Sequence, residues 1–388
     1  MADIILNGIT WGHSRGITPL LAASQRYSEL YPDVEIRWKK RSLQEFADFP
    51  IEKLTESYDL LIIDHPWVGC AAATGCVLPL EKYLSKKYLQ DQLDHTVGYS
   101  HKSYEYEHSQ WALAIDAATP AASYRHDLLQ KNKTAVPQTW SDLLDLAKDG
   151  KVAVPAIPID LLMNFYTFCI AHGREPFYNN EEVIDKETGI LAIESMRSLY
   201  RLVDKKMFTC NPIAIAELMS SVNDYWYCPF AYCYSNYSRT GYAAHLLTYD
   251  DVVSFNDKKL RTTIGGTGLS VSSFSKHKEE AIRFASMVVS GQWQSGIYVQ
   301  NGGQPGHRSA WENREANLLT NGFFKKLLPV MKHGYTRPRY NGYLHFQDHA
   351  GLPLQKCLIS DGNPEVVLDE MNKIYKNSFK AVGILEHG

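Results

Sequence analysis

The sequence predicts an α/β protein built as two lobes, each a mostly parallel sheet flanked by helices. Three observations lead to that prediction. Short segments with strand patterns alternate with segments that have the 3.6-residue periodicity of helices. The length of 388 residues exceeds what one hydrophobic core usually serves. The sequence has no low-complexity linker, as expected when two lobes are joined by several strand crossings.

The first lobe begins with three strand candidates. Residues 3–10 are predicted to form a short, mainly apolar strand, residues 34–39 alternate apolar with polar side chains, and residues 58–63 are apolar apart from Asp59. A continuous apolar strand is typical of a sheet that is buried on both faces. After the first strand, Thr18 and Pro19 predict the start of a helix, with Thr18 as N-cap.

Two loops follow strand ends in this lobe, residues 11–16 and residues 64–69. Ligands collect beyond the carboxyl ends of strands in open α/β sheets, so these loops are the first candidates for a ligand site. Trp11 and Trp67 are expected to stack on the ligand and not to fill core, because each indole begins where its strand ends.

The rest of the chain continues the alternation. The expected elements are a strand at 111–116, a helix at 161–172 with Asp160 as N-cap, a strand at 263–272, and a helix at 278–289 capped by Ser275. Gly265-Gly266-Thr267-Gly268 is expected to permit a tight hinge crossing, because glycine lacks the constraint of a Cβ atom.

Five segments follow one another along nearly the whole chain: YPDVEIRW, YDLLIIDHPWVGCAAATGCVLPLEKYL, WALAIDAATPAASYRHDLLQK with VPQTWSDLLDLAK, IGGTGLSVSSFSKHKEEAIRFASMVVS, and GNPEVVLDEMNKIY. In this order they resemble the carbohydrate-type extracellular solute-binding proteins of ABC transporters, which have the type II periplasmic-binding fold. Two stretches depart from the family pattern, WGHSRG and the late segment that contains NGGQPGHRSAW and RPRYNGYLHF.

The resemblance implies a first lobe of residues 1–113 plus 264–308 and a second lobe of residues 114–263 plus 309–388. It implies a small polar ligand, a sugar, a sugar acid or another small organic acid, in a cleft between lobes that close by hinge motion. It also implies a monomer, with an ABC permease as partner if the protein is exported.

Candidate ligand-binding residues follow from the resemblance together with residue type. For three of these candidates a purely structural role is the alternative to ligand contact: N-capping alone for Asp160, and lobe packing for Tyr232 and Tyr234. The candidates are Trp11, His13, Ser14, Arg15, Asp64, His65 and Trp67 in the first lobe; Asp116, Gly266 and Thr267 on the crossings; Asp160, Asn164, Tyr232, Tyr234 and Asn236 in the second lobe; and Gln304, His307, Arg339 and Asn341 in the late segment.

Gly12-His13-Ser14-Arg15-Gly16 has the G-x-S-x-G pattern of a hydrolase nucleophile elbow. That elbow normally follows several strands of the sheet, whereas this one follows the first, so we expect no catalytic residue here. A helix start with His13 and Arg15 instead favours an anionic ligand group. A third interpretation is that Arg15 pairs with a carboxylate such as Asp64.

Metal and cofactor sites are not expected. His345 and His349 have i, i+4 spacing, but they lack the Glu of H-E-x-x-H, and Gly342 and Gly351 predict an irregular segment there. No phosphate-cradling glycine loop with a following lysine occurs, and the seven cysteines lack zinc or redox spacing, so buried thiols are expected.

The formal net charge of −3 gives no electrostatic reason to expect nucleic acid as a partner. No run of about 20 apolar residues predicts membrane insertion. The N-terminus MADIILNGIT lacks the features of a secretory signal, which indicates the cytoplasm, or the periplasm or exterior if a signal was trimmed.

Two functions remain open at this point. The first is solute binding, as a transport receptor or as a cytosolic homologue. The alternative is a cytosolic enzyme on the same fold that acts on a small polar or acidic metabolite, with acid–base chemistry from His13, His65, Asp116 and His307.

Overall fold

The computed structural model describes residues 2–41 and 51–381, and the chain divides into two compact units. The first unit consists of Met1–Ala118, Ile264–Lys332 and Arg339–Asn341. The second unit consists of Thr119–Thr263, His333–Pro338 and Gly342–Gly388.

These units differ from the expected lobes mainly in residues 309–332, which belong to the first unit and not to the second. The reason is local packing within the first unit. The indole Nε1 of Trp311 donates to the carbonyl oxygen of Pro305 at 2.6 Å, and Trp311 itself is fully buried. This contact keeps the helix Arg308–Glu312 beside the segment that precedes it.

The strands are short, and twelve are present among the described residues. They are β1 (Ile4–Trp11), β2 (Val34–Arg41), β3 (Leu60–Ile63), β4 (Glu105–Tyr106), β5 (Ser109–Gln110), β6 (Leu113–Ala118), β7 (Pro120–Tyr124), β8 (Tyr227–Tyr232), β9 (Thr248–Asp250), β10 (Ser254–Phe255), β11 (Lys258–Lys259) and β12 (Gly265–Val271).

The sheet of the first unit has the strand order β2-β1-β3-β12-β6. β1 is parallel to both β2 and β3, and β12 is antiparallel to β3 and to β6. Four strands therefore run in one direction and β12 runs against them, so the mostly parallel sheet expected for the first lobe is confirmed. Every residue of β3 is buried, as the apolar run at the end of residues 58–63 predicts, and so is every residue of β6.

The core of the first unit lies between this sheet and its helices. The helix Ser14–Leu30 buries Leu20, Ala23 and Tyr27 against the sheet, at the spacing of one helix face. The ring of Tyr27 meets that of Phe284 edge-on, with centroids 5.2 Å apart. Each such large apolar side chain contributes about 1.5–3 kcal/mol through burial, so these contacts hold the helix against the sheet.

The sheet of the second unit has the order β8-β7-β9, and β7 is antiparallel to both neighbours. The expectation of a mostly parallel sheet is wrong for these named strands. β8 and β9 come later in the chain than β7 and lie on either side of it. Each runs in the direction opposite to β7. Parallel pairing survives in this unit at isolated bridges, such as Val152 with Tyr227.

Helices account for most of the remaining described structure. Those of the first unit are Ser14–Leu30, Ile51–Thr55, Val68–Thr74, Lys86–Asp94, Ser100–Ser103, Lys278–Val288, Gly291–Trp293, Arg308–Glu312, Arg314–Leu319 and Phe323–Lys332, with shorter turns at His65–Trp67 and Leu80–Lys82 and a π-helical turn at Gln294–Tyr298. Those of the second unit are His126–Lys131, Trp140–Lys148, Pro158–Ala171, Lys186–Tyr200, Pro212–Ser221, Tyr343–Ser360 and Pro364–Ala381, with turns at Lys205–Thr209 and Ser235–Ser238.

Three expected helix starts are wrong. The first helix begins at Ser14 and not at Thr18, because the His13 side chain caps it, and Pro19 lies inside the helix. Asp160 is not an N-cap: Ile157 holds that position, and Pro158 opens the helix, as proline does at a first helical position.

Ser275 does not cap the helix Lys278–Val288, whose N-cap residue is His277. The Ser275 hydroxyl accepts from the backbone N–H of His277 and donates to Asp59 Oδ1 at 2.6 Å. Ser275 therefore ties the loop before the helix to the start of β3.

Candidate functional site

The loop after β1 is organised by the His13 side chain. Its Nδ1 accepts the backbone N–H of Arg15 at 3.0 Å, which caps the helix Ser14–Leu30. Burial, with a smaller effect of the Arg15 charge, lowers the pKa of His13 to about 4. The imidazole is therefore neutral at pH 7, and because Nδ1 accepts, its proton is on Nε2 and can be donated.

Arg15 lies in the first turn of the helix Ser14–Leu30, and its partner is Asp116 in β6. The guanidinium donates to the carboxylate through Nε, 2.8 Å from Oδ2, and through Nη2 to Oδ1. Both side chains are buried, with Arg15 4% and Asp116 0% exposed. Burial raises the pKa of the Asp116 carboxyl, and the neighbouring guanidinium acts against that shift.

This pair changes two expectations. Arg15 does meet a carboxylate, but that carboxylate is Asp116 and not Asp64. Nε and Nη2 of Arg15 already donate to Asp116. These two nitrogens are therefore not available for the bidentate contact with an anionic ligand group that was expected.

Trp11 is core, which contradicts the argument that an indole past the strand end is poorly placed for core. It is 4% exposed and belongs to the apolar cluster of the first unit. A Cβ atom added at Gly16 would lie 2.5 Å from the Trp11 ring. The glycine therefore lets the ring pack flat against the first turn of the helix.

The second loop forms the short turn His65–Trp67. Asp64 is its N-cap, and Oδ1 of Asp64 accepts the backbone N–H of His65 at 2.8 Å. The imidazole of His65 is fully buried and meets the ring of Tyr104 edge-on at 6.4 Å. The Trp67 side chain is mostly buried, with 7% of its surface exposed. Its stacking on a ligand stays a prediction.

Ser14 is the first residue of its helix, and the histidine beside it is a poor general base at neutral pH because its pKa is about 4. We therefore expect a fluorophosphonate probe to leave Ser14 unlabelled, measured by mass spectrometry of the intact protein. Covalent labelling that disappears in Ser14→Ala would contradict this expectation and restore the hydrolase interpretation.

Asp160 is the main candidate in the second unit. It lies in the first turn of the helix Pro158–Ala171 and is 6% exposed. Burial raises the pKa of its carboxyl to about 8. Its Oδ2 is buried without a hydrogen-bond partner among the described residues. A buried acceptor in this state carries a desolvation penalty of about 1–3 kcal/mol until a donor reaches it.

Asn164, one turn after Asp160, is engaged by its own unit. Its Nδ2 donates to the Tyr200 hydroxyl at 2.9 Å, and that hydroxyl donates to the carbonyl oxygen of Pro155 at 3.3 Å. Burial raises the pKa of Tyr200, and the Asp160 carboxyl adds a smaller effect in the same direction, which places the two groups in one polar cluster. Asn164 therefore supports this cluster through Tyr200.

The polar-aromatic run begins at the end of β8, where two tyrosines contact neighbouring side chains and an asparagine further along has an acceptor without a described partner. Tyr232 is half-buried and its hydroxyl lies 2.8 Å from Thr263 Oγ1, while Tyr234 packs at 6.5 Å from the ring of Tyr237. Asn236 is 2% exposed, and its Oδ1 has no hydrogen-bond partner in the part of the chain that the structure describes.

The return strand β12 brings Gly266 and Thr267 beside β6. Gly266 has φ +101°, and a Cβ there would lie 2.3 Å from the carbonyl oxygen of Asp116. Glycine is therefore required for this close approach. The Thr267 side chain is 5% exposed, and its Oγ1 has no partner among the described residues.

The four late candidates belong to the first unit, and three of them have structural roles. Gln304 Nε2 donates to the carbonyl oxygen of Ala117 at 2.8 Å. Arg339 Nη1 donates to that of Lys102 at 2.9 Å. The backbone of Asn341 lies 2.8 Å from where a Cβ of Gly69 would be. His307, the fourth, lies in a different cluster that is described below.

His345 and His349 lie on the regular helix Tyr343–Ser360, so the expectation of an irregular segment is wrong. Their ring centroids are 4.3 Å apart, and Nδ1 of His349 lies 2.8 Å from the carbonyl oxygen of His345. Gly351 is a packing position in this helix, since a Cβ there would lie 2.1 Å from the carbonyl oxygen of Pro158.

Two groups of residues were missed from the sequence. Tyr200 is 36 positions from Asn164 and gives no local signal of their contact. Asp91 and His95, however, have the i, i+4 spacing of a helix face, and that spacing could have drawn attention to them.

Solved structures match this architecture over nearly the whole chain. The maltose-bound MalE3 of T. maritima is 17% identical, with a TM-score of 0.84, covering 96% of this chain and 99% of that chain. A solute-binding protein of an ABC transporter from Agrobacterium radiobacter, in complex with ribitol, is 17% identical, with a TM-score of 0.82 and coverages of 97% and 99%. The Thermus thermophilus maltotriose-binding protein, with maltotriose, is 19% identical, with a TM-score of 0.77 and coverages of 97% and 100%.

These likenesses show the two-lobed periplasmic-binding-protein fold. The family model described as bacterial extracellular solute-binding protein matches residues 14–295. The chain belongs to this family. The resemblance stated from the five sequence segments is thereby confirmed, and so is the function class of solute binding.

Within residues 2–41 and 51–381 of this solute-binding protein, no helix is both long enough and apolar enough to cross a membrane. Its seven cysteines are thiols, and five of them are buried, while Cys70 and Cys210 are partly exposed. The buried-thiol interpretation is therefore confirmed for those five.

Proposed function

We propose that this solute-binding protein takes a small, neutral, hydroxyl-rich ligand, a sugar or a polyol, as the receptor of an ABC transporter. The observation that carries the proposal is the buried Oδ2 of Asp160, which has no hydrogen-bond partner among the described residues. A buried acceptor of this kind calls for a donor.

Hydroxyl groups suit the acceptors in the second unit. Asp160 Oδ2 and Asn236 Oδ1 are both buried acceptors without a described partner. A sugar or polyol carries several O–H donors, and each that reaches such an acceptor removes a desolvation penalty of about 1–3 kcal/mol. A purely apolar ligand would leave both acceptors unsatisfied.

The electrostatics favour a neutral ligand over an acidic one. Arg15, the cation expected to recognise an acidic group, already faces the carboxylate of Asp116. Asn236 Oδ1 accepts and cannot donate, and Asp160 becomes a charged acceptor when hydroxyl donors bind it, which a ligand carboxylate cannot bring about. Sugar acids and small organic acids therefore become the second choice.

The similar solved structures support the same ligand class, since their printed descriptions name maltose, ribitol and maltotriose. The family is described as extracellular, so we place the protein outside the cytoplasm with a permease as its partner. The cytosolic enzyme is less well supported, because His13 is a weak base and Asp116 is paired with Arg15.

The ligand class is tested with a thermal-shift panel of neutral sugars, polyols, sugar acids and small organic acids. We expect stabilisation by at least one neutral compound, since a ligand that binds only the folded state raises its melting temperature. Acids alone raising the melting temperature would contradict the proposal, and a hit that nuclear magnetic resonance shows being converted would favour the enzyme.

Closure on the ligand stays a prediction of the family resemblance. Small-angle scattering with the hit compound should give a smaller radius of gyration than without it. An unchanged radius at saturating ligand would argue against hinge motion without bearing on the ligand class.

A further inference from the structure

Three side chains of the first unit meet away from the candidates described above. Asp91, His95 and His307 each place one ligand-type atom within 4.8 Å of the others. We call them the His307 cluster. Asp91 Oδ1 lies 3.0 Å from His95 Nδ1, and Asp91 Oδ2 lies 3.5 Å from His307 Nε2. The two imidazole rings stack, with centroids 4.7 Å apart.

The backbone holds the cluster together. Asp91 lies in the helix Lys86–Asp94, and His95 is the C-cap residue one turn later. His307 is the N-cap residue of the helix Arg308–Glu312. The two helix ends are joined directly, because the backbone N–H of Arg308 donates to the carbonyl oxygen of His95 at 2.7 Å. The three side chains therefore start from fixed positions.

His307 is an unusual member of this group because it is buried. Its side chain is 4% exposed, and its Nε2, which points towards Asp91, has no hydrogen-bond partner among the described residues. Its Nδ1 lies 2.8 Å from the Ser309 hydroxyl. A buried ring nitrogen without a partner, aimed at a carboxylate and a second imidazole, is positioned as a ligand.

We propose that the His307 cluster binds a zinc ion. Two imidazoles and one carboxylate are a ligand set that zinc takes in proteins, whereas calcium and magnesium prefer all-oxygen sites. Three protein ligands leave a fourth position for water. The site would tie the end of one helix to the start of another.

The surroundings fit an ion on His307 Nε2. With Nε2 bound to metal, the ring proton is on Nδ1 and can be donated to Ser309 Oγ, 2.8 Å away, the outer contact that metal-bound imidazoles usually make. The N-cap bond in which Nδ1 accepts the backbone N–H of Ser309 at 3.3 Å is then given up. The Ser309 hydroxyl can donate in turn to Ser295, 3.1 Å away.

The other two ligands can adjust. The side chains of His95 and Asp91 are 41% and 49% exposed, so both have room to move. A turn of the His95 ring towards an ion gives up the contact of its Nδ1 with the carbonyl oxygen of Asp91, 3.0 Å away. The nearby cation Arg308 is engaged elsewhere, with Nη2 donating to the carbonyl oxygen of Asp94 at 2.9 Å and Nε 3.7 Å from Glu312.

The test is calorimetric titration of the full-length, tag-free chain with zinc chloride, with cobalt chloride as a spectroscopic probe. We expect about one zinc per chain, and a loss of affinity of about tenfold or more in His307→Ala and in His95→Ala. His349→Ala is the matched control, since the rings of His345 and His349 also lie close together, with centroids 4.3 Å apart, but belong to no described group with a carboxylate ligand. The control should bind like the unaltered protein.

Asp91→Asn guards against a folding artefact, because this side chain is half-exposed and its loss should leave the fold intact. It should weaken zinc binding and leave the melting temperature without metal unchanged. The proposal would be overturned if His307→Ala and His349→Ala lost the same amount of zinc affinity. It would also be overturned if the unaltered protein bound zinc no more tightly than the variants do. Sugar binding is a separate measurement, so failure here leaves the proposed ligand class untouched.

Discussion

Asp160→Asn is expected to stabilise the protein near neutral pH and at the same time to weaken ligand binding by about tenfold, or about 1.4 kcal/mol. The stabilisation follows from burial, which raises the pKa of this carboxyl from 3.8 to about 8 in the folded state. At pH 7 the unfolded chain carries Asp160 ionised, and folding must protonate it. An asparagine escapes that cost.

The sign and size of the effect follow from proton linkage. The favourable contribution of a group with a raised pKa is complete below its unfolded value of 3.8 and is lost as the pH rises to about 8. Each pKa unit is worth about 1.4 kcal/mol, which bounds the gain at pH 7 near 4 kcal/mol. The amide is itself a buried polar group, so we expect a gain of about 2–3 kcal/mol.

Ligand binding should couple to the same carboxyl. Hydroxyl donors favour the charged form, so the bound ligand lowers the pKa of Asp160 and binding releases a proton. The affinity of the unaltered protein should therefore rise between about pH 6 and about pH 8 and level off above that. Calorimetry in two buffers of different ionisation enthalpy measures the released proton directly.

Asp251→Asn is the control for these measurements. Asp251 is a second carboxyl of the same unit with a pKa raised by burial, but its Oδ1 accepts the backbone N–H of Val252 at 2.8 Å. Its substitution should leave affinity unchanged. Chemical denaturation over the pH range decides the stability claim, and a gain for Asp160→Asn that does not grow with pH would show that the carboxyl is not buried as described.

Breaking the pair of Arg15 and Asp116 is expected to cost about 3–5 kcal/mol of folding free energy, because the remaining partner is left as an uncompensated buried charge. Asp116→Leu and Arg15→Met should each show a loss of this size. The double variant should be less destabilised than the sum of the two, since replacing both charges by apolar groups of similar volume is often close to neutral.

Arg26 and Glu29 provide the surface comparison. They are also an ion pair of the first unit, on the same helix as Arg15, but their side chains are 51% and 49% exposed. Their coupling energy should be below about 1 kcal/mol in the same denaturation measurement. A coupling for the Arg15 pair no larger than this would mean that water reaches it and that its burial is overstated.

The fold was predictable from the sequence to the extent that each element has a local pattern. The strand expected at 58–63 appears as β3 over its apolar residues Leu60–Ile63, and the strand through Gly265 and Gly266 appears as β12. The antiparallel sheet of the second unit was not predictable, because pairing depends on which strand meets β7, and neither β8 nor β9 carries that information in its own residues.

The candidate site was less predictable, for the same physical reason. The helix start itself was misplaced, since Thr18 and not His13 was expected as the N-cap. The partner of Arg15 is 101 positions away, and nothing in the sequence near Arg15 distinguishes Asp116 from Asp64. Trp11 was misplaced because its burial depends on the absence of a side chain at Gly16, five residues later, and not on where β1 ends.

The position of β12 has a consequence for how the protein is made. β12 lies between β3 and β6, yet its residues follow the whole of Thr119–Thr263 along the chain. A ribosome adding about 5–20 residues per second therefore takes roughly 7–30 s after β6 to reach β12. Throughout that interval β3 and β6 have no strand between them, and their unpaired N–H and C=O groups are open to other chains. The nascent first unit thus passes through a long aggregation-prone stage, and it matures only after most of the second unit has been synthesised.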